Sequence, residues 1–259
     1  VFRLGARLTE ADKRLKAGEY VFPRGVTPQG VLVLLQSGKA VVRRLTMAEG
    51  LTSFEIIKRL NATDGLTGTA APAVEGSLLP ETYHFSFGDS RQNIADRMRA
   101  DMQRALEVLW IGRDVDLPLK SPNEALVLAS IVERETGVAS ERARVAAVFI
   151  NRLRRGMKLQ SDPTVVYGIT LGKGALGRPL SRVDLRNPTP YNTYTINALP
   201  PGPISNPGRS AIEAVLHPAR TKELYFVADG SGGHAFAKTL SEHNRNVARW
   251  RRFQRQKPK

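Results

Sequence analysis

Apolar residues recur along this chain with two periods, and the change from one to the other marks out the elements. Val31, Leu34 and Leu35 fall at helical spacing between Thr27 and Gln36, and Gly38 is placed to stop that helix. Val41–Met47 reads as a strand, and Lys16–Phe22 as a turn leading into another. Ile56, Ile57 and Leu60 share one face of a short helix over Ser53–Leu60, capped by Thr52 or Ser53. Asn61–Ala73 is small and polar, a loop or short helix. In Leu78–Phe87, Tyr83, Phe85 and Phe87 alternate with His84 and Ser86, which is strand periodicity. Ile94, Met98, Met102, Ala105, Leu106 and Leu109 predict a helix over Asn93–Trp110.

The next helix is announced by Ser121-Pro122-Asn123-Glu124, an N-cap, a first-turn proline and a Glu three residues after the cap. Ala125–Val132 then runs apolar apart from Ser130, and a helix apolar on every side is buried. Another helix starts at Ser140 or Glu141 and runs to about Arg155. Beyond Gly156 the texture changes. Residues 187–208 hold six prolines and several Asn and Tyr, which predicts a long stiffened loop of the kind that carries function. A short helix over Ala211–Leu216, a buried strand over Leu224–Ala228, a turn over Asp229–His234 and a closing helix over Ser241–Phe253 complete the reading.

Composition narrows the chemistry. The 259 residues carry 39 basic and 24 acidic side chains, a net charge of +15 that fits an acidic polymer or an anionic surface. There is no Cys, so disulfides, thiolate metal sites and Cys nucleophiles are excluded. The four His form neither H-x-x-H nor H-E-x-x-H, so no metal site is expected. No G-x-x-x-x-G-K-[ST] or nucleic-acid reader motif is present, and nucleic acid is not an expected partner. No apolar run approaches the roughly 20 residues that span a bilayer. The chain opens on Val1 rather than Met, so an anchor ahead of it stays compatible with the sequence.

The candidate chemistry begins where the apolar helix ends, at Val132-Glu133-Arg134-Glu135-Thr136. Either carboxyl leaves an apolar surface at a helix C-terminus, and both effects raise a carboxyl pKa towards that of a general acid. Which of the two is the acid stays open on this reading; both could instead pair with nearby arginines. Gln160, Ser161 and Asp162, then Asn192 and Asn206, interleave with Tyr167, Tyr191 and Tyr194. Amides and carboxylates suit sugar hydroxyls and aromatic rings suit sugar faces, so these residues fit a saccharide groove. Glu75 and Glu81 are further carboxylates that a two-carboxylate glycosidase could use. His234 and His243 border the region and read as packed histidines.

Two resemblances extend this reading. The strand, Gly50 turn and helix over residues 42–57, closed by the strand ending at Phe87, resemble a LysM-type carbohydrate-binding module. Larger in extent, Ala129–Thr136, Val148–Leu153, Leu159–Val165 and Tyr191–Tyr194 resemble the endolytic murein transglycosylase (YceG-like) family. Glu75-Gly76, Pro80–Tyr83, Leu199–Ile204, Asn206–Gly208, Tyr225–Val227, Gly233–Phe236 and His243-Asn244 resemble it too. These run in the family's order over about residues 17–250. The resemblance implies an α+β fold: an N-terminal strand/helix segment over 1–40, a LysM-like βααβ subdomain over 41–88, and a mixed α/β catalytic domain over 89–259 with a buried catalytic helix and long Pro/Gly-rich loops. It implies Glu133 as the catalytic acid, with Glu75, Gln160, Ser161, Asp162, Tyr167, Asn192, Tyr194 and Asn206 around the substrate and no cofactor. The implied activity is a lyase reaction that cuts the MurNAc–GlcNAc β-1,4 bond within nascent glycan strands and leaves 1,6-anhydro ends. Its implied partners are peptidoglycan strands and peptidoglycan synthases. Its implied setting is the bacterial inner membrane, held by one N-terminal helix with the body in the periplasm. A water-using muramidase, pairing Glu133 with Glu75 or Glu81, and a non-catalytic murein-binding module are the alternatives.

Overall fold

A computed structural model describes residues 11–256, so the first ten residues of the 1–40 segment and the terminal Lys257 and Lys259 lie outside the described residues. The elements are α1 (Pro28–Ser37), β1 (Val42–Thr46), α2 (Ser53–Asn61), β2 (Thr82–Ser86), α3 (Arg91–Ile111), α4 (Pro122–Glu135), α5 (Arg142–Arg154), α6 (Asp162–Thr170), α7 (Arg182–Arg186), α8 (Arg209–Leu216), β3 (Tyr225–Ala228), β4 (His234–Ala237) and α9 (Leu240–Gln256). Short 3-10 turns occupy Ala11–Arg14 and Ala139–Glu141. The strands form two antiparallel pairs, β1 with β2 and β3 with β4. The fold is therefore mixed α and β with small sheets.

Two apolar cores organise these elements. In the small lobe, α2 turns Ile56, Ile57 and Leu60 inward against Tyr83 and Phe85 of β2. The helix is set by a capping box, in which Thr52 accepts from the Glu55 N–H and Glu55 reaches back to the Thr52 N–H. The larger core surrounds α4, which buries every residue from Ala125 to Val132 against α3, α5, α6 and α8. α3 serves both: Ile94, Ala95 and Met98 enter the small core, and Met102 and Ala105 the larger one. Its 21 residues make a rod of about 30 Å that ties the two cores together.

Several expectations are met and several corrected. The helix ending at Gly38 is present, with that glycine left-handed at φ 69°. Lys16–Phe22 forms no strand. Only one helix, α2, lies between β1 and β2, so the order is βαβ followed by α3 rather than βααβ. Ser121 caps α4 as expected, but Glu124 accepts from the Lys120 N–H, one residue earlier than a capping box requires. β3 is half-buried rather than buried, and α6, α7 and β4 were not anticipated.

The one polar residue in the buried stretch of α4 has a use. Ser130 accepts from the Ile204 N–H at 3.0 Å, and its carbonyl accepts from Ser205 Oγ at 3.2 Å. The proline-rich loop over 187–208 is thereby pinned to the centre of α4. Leu128, fully buried beside this anchor, is expected to cost about 2–5 kcal/mol when changed to Ala. Urea unfolding should show this as a lower midpoint with an unchanged slope.

Candidate active site

Glu133 and Glu135 stand two positions apart on α4, so their side chains leave the helix about 200° apart. They enter different surroundings. Glu133 faces the seam between the lobes, and its side chain is 6% exposed. Its Oε2 accepts from the Gly208 N–H at 2.9 Å, and its Oε1 lies 3.7 Å from Arg142 Nη2. The same guanidinium reaches Glu49 of the small lobe at 3.8 Å. Burial raises the Glu133 pKa, the Gly208 N–H lowers it, the Glu49 charge raises it, and Arg142 lowers it again.

Glu135 faces the other way, into a cavity of about 480 Å³ that it lines with Arg152, Gln160, Asp162, Tyr194, Tyr225 and His243. Among the described residues one hydrogen bond engages its carboxyl: Ser161 Oγ donates to Oε1 at 2.5 Å. Burial pushes its pKa up to about 7, offset in part by that hydroxyl and by the positive charge of Arg152, while Asp162 adds to the rise. A carboxyl in this state carries a proton at neutral pH and can release it, as a general acid requires.

The wall opposite Glu135 is built by α6 and the proline-rich loop. The Ser161 N–H donates to Thr193 Oγ1 at 2.9 Å, and the Gln160 N–H to the Thr193 carbonyl at 3.1 Å. These bonds hold Gln160 in left-handed backbone at φ 52°, which costs a non-glycine residue about 1–2 kcal/mol. The bonds to Thr193 offset this strain and keep Gln160 at the cavity wall. Tyr194 donates its hydroxyl to Asp162 Oδ1 at 2.6 Å, so these two line the wall as a pair.

Other expected site residues lie elsewhere. Asn192 is fully buried and spends its amide on the carbonyls of Asp184, Leu185 and Asn187, so it shapes the loop and cannot meet a sugar directly. Asn206 is equally buried. Its Oδ1 accepts from the Leu78 N–H at 2.9 Å, and its Nδ2 donates to the Leu51 carbonyl, Ser53 Oγ and Glu75 Oε1. It clamps the lobes together. Ser161, also buried, touches Glu135 rather than open space. Glu75 and Tyr167 line a second cavity of about 540 Å³, between α2 and the C-terminal end of α6, with Phe54, Lys58, Leu171 and Lys173. Glu81 pairs with Arg209 at 3.2 Å on the surface. His234 pairs with Glu141 at 2.7 Å. Among the described residues no three His, Asp or Glu side chains gather as a metal cage.

Arg152 is the site residue that sequence reasoning missed. Its Nε donates to the Leu224 carbonyl at 2.7 Å, and its Nη1 to the Leu159 carbonyl at 2.7 Å. Its side chain packs over the Tyr225 ring. The signal in the sequence was its helical spacing after Val145, Val148 and Phe149, which puts a basic residue on the inward side of a helix with three other arginines.

The YceG-like family model matches residues 1–249 of this chain. A Bacillus subtilis protein named endolytic murein transglycosylase is 39% identical over 176 residues, covering 66% of this chain and 46% of that protein. A Streptococcus pneumoniae protein of the same name is 29% identical, covering 90% of this chain and 50% of its own length. The chain thus spans about half the length of the curated relatives it matches. A crystal structure of a putative YceG-like protein from Listeria monocytogenes superposes with a TM-score of 0.63 at 29% identity, covering 94% of this chain and 89% of that one.

Because Glu135 holds its proton more tightly when folded than the usual value of 4.5, the folded chain binds more protons between pH 4.5 and 7. Stability from this group is full below pH 4.5 and is lost as pH rises towards 7, up to about 3 kcal/mol in all. Glu75 and Glu133, also raised by burial, act in the same direction. Glu135→Gln should flatten this slope, as read from urea midpoints between pH 4.5 and 8.

Proposed function

The chain belongs to the YceG-like family, and from that premise we propose that it is a lytic murein transglycosylase whose general acid is Glu135. The observation that carries the proposal is a carboxyl with its pKa pushed up to about 7 at the wall of a polar and aromatic cavity. Glu133, the acid that the sequence resemblance implied, is held instead by Gly208 and Arg142 at the seam between the lobes. Its role in this reading is to hold Gly208, where the 187–208 loop ends and α8 begins.

In the proposed reaction the protonated Glu135 donates to the oxygen of the MurNAc–GlcNAc β-1,4 bond, and the bond from C1 to that oxygen breaks. The resulting carboxylate is stabilised by the Ser161 hydroxyl and by the charge of Arg152. It then takes the proton of the C6 hydroxyl on the same MurNAc, and that oxygen closes on C1 as a 1,6-anhydro ring. One residue serves as acid and then base, no water is consumed, and the carboxyl ends in its starting state. The attacking group is already part of the substrate, so proximity supplies much of the rate. Gln160, Asp162 and Tyr194 hold the sugar in this reading. Asn192 and Asn206 act from behind, by fixing the loop.

The small lobe, LysM-like in its strand–turn–helix opening, would hold the glycan away from the cut, with Glu75 and Tyr167 at its boundary with the catalytic domain. The domain limits proposed remain 41–88 and 89–259. Nascent peptidoglycan strands are the proposed substrate and peptidoglycan synthases the proposed partners. The proposed location is the periplasmic face of a bacterial inner membrane, held by a single N-terminal helix. No helix among the described residues is long and apolar enough to cross a membrane.

Mass spectrometry of sacculus digests tests the chemistry. The expected products carry 1,6-anhydro ends, while reducing ends would favour the muramidase alternative. Glu135→Gln is expected to lower turnover by about 10²–10⁴-fold, and Glu133→Gln by less than about tenfold. The reverse order would return the acid to Glu133. The acid form is required for cleavage, so kcat/KM is expected to fall as pH rises above about 7.

A further inference from the structure

The cavity beside Glu135 contains a cation that proton transfer does not fully employ. Arg152 is 7% exposed, and a guanidinium has five N–H donors and no acceptor. Its Nε and Nη1 are occupied by the carbonyls of Leu224, Leu159 and Lys158. Its Nη2 donates to no acceptor among the described residues, and it is not among the sealed polar atoms left without partners. It therefore opens on the cavity that the side chain lines. A buried charge normally has an anion against it. Among the described residues neither acid of the cavity forms an ion pair with Arg152: Glu135 is engaged by the Ser161 hydroxyl and Asp162 by the Tyr194 hydroxyl.

His243, at the start of α9, adds a second donor. Its ring stacks on Tyr225 with centroids 5.1 Å apart, and its Nδ1 is sealed in the protein without a partner. A proton on that sealed atom would be left unsatisfied, so the ring carries it on Nε2, the nitrogen free to serve the cavity. Burial and the nearby charge of Arg152 keep the ring neutral. The cavity thus presents the Arg152 Nη2 donors and the His243 donor without an ion-pair partner among the described residues.

We propose that Arg152 Nη2, assisted by His243 Nε2, receives a carboxylate carried by the sugar next to the scissile bond, and so selects acidic glycans over neutral ones. This rests on reading the Glu135 cavity as the cleavage site. In murein a carboxylate has two sources: the lactyl group directly on the muramic ring, once the stem peptide is removed, and the carboxyls of the peptide itself.

The test measures binding to the Glu135→Gln protein by calorimetry, with three glycans of equal length. One is a murein oligosaccharide bearing stem peptides, one the same strand stripped by amidase, and one a neutral N-acetylglucosamine oligomer. At least one carboxylate-bearing glycan is expected to bind tenfold or more tighter than the neutral one. A preference for the stripped strand assigns the arm to the lactyl carboxylate, and a preference for the intact strand to the peptide. Arg152→Lys keeps the charge but loses the fork, and is expected to weaken the carboxylate-bearing glycans roughly tenfold more than the neutral one. Should that variant fail to fold, His243→Gln, whose parent side chain makes no hydrogen bond within the described protein, should reduce the same preference severalfold. Equal affinity for all three glycans overturns the proposal, as does a uniform loss across them in the variants. Sacculus cleavage by the protein carrying Glu135→Gln is a separate result: it would overturn the catalytic assignment and leave the binding preference to stand or fall on its own.

Discussion

The desolvation of one carboxyl at the end of α4 is the constraint around which the site is organised. A helix buried on every side from Ala125 to Val132 delivers its next residues into surroundings with little water. A carboxylate there loses hydration that one hydroxyl and a partly diverted guanidinium do not fully replace, so the proton stays. The apolar packing that stabilises the fold is thus also the source of the acidity at the cavity. The same packing fixes direction, because α4 cannot rotate without unpacking α3, α5 and α8.

The loop over 187–208 completes the arrangement, although it has no helix or strand. Side chains along its length fix it. Ser130 holds it at Ile204 and Ser205, Thr193 binds the backbone of Gln160 and Ser161, and Asn206 joins Leu51, Ser53, Glu75 and Leu78. Backbone bonds between Gly50 and Asn206 and between Asn206 and Leu51 add a short ladder across the lobes. The prolines lower the entropy lost on ordering such a loop, and the buried amides supply the partners its backbone needs.

Much of this is legible in the sequence. The period of Ile94 to Leu109, the cap at Ser121 and the stop at Gly38 are local signals, and each marks an element that formed. α6 was hidden because Asp162-Pro163 reads equally as a turn and as the first turn of a helix, where proline is at home. β4 has four residues and exists by pairing with β3, a non-local cause. The two glutamates illustrate a different limit. On a helix apolar all round, periodicity does not tell which side meets a cavity, so the 200° between them carried no label. Asn192 and Asn206 resemble sugar ligands in the sequence because an amide that binds a hydroxyl and one that binds backbone look alike there. Arg152 was lost among the many arginines of a basic chain.

Three carboxyls on this side of the molecule, Glu75, Glu133 and Glu135, have pKa values raised by burial, so each weakens the fold at neutral pH. For two of them the structure contains a compensation. Glu75 accepts from the N–H groups of Ser53 and Gly76 and from Asn206 Nδ2, and Glu133 from the Gly208 N–H with Arg142 nearby. Each joins segments that would otherwise separate, which is reason enough to retain an acid. Among the described residues Glu135 joins only Ser161, and it shifts the most, to about 7. As a structural element it is poor, since a buried amide or an apolar side chain there would cost the fold less. An acid that adds little to stability, kept where its proton is held near neutrality and beside strained Gln160 and incompletely paired Arg152, is what a site maintained for proton transfer requires.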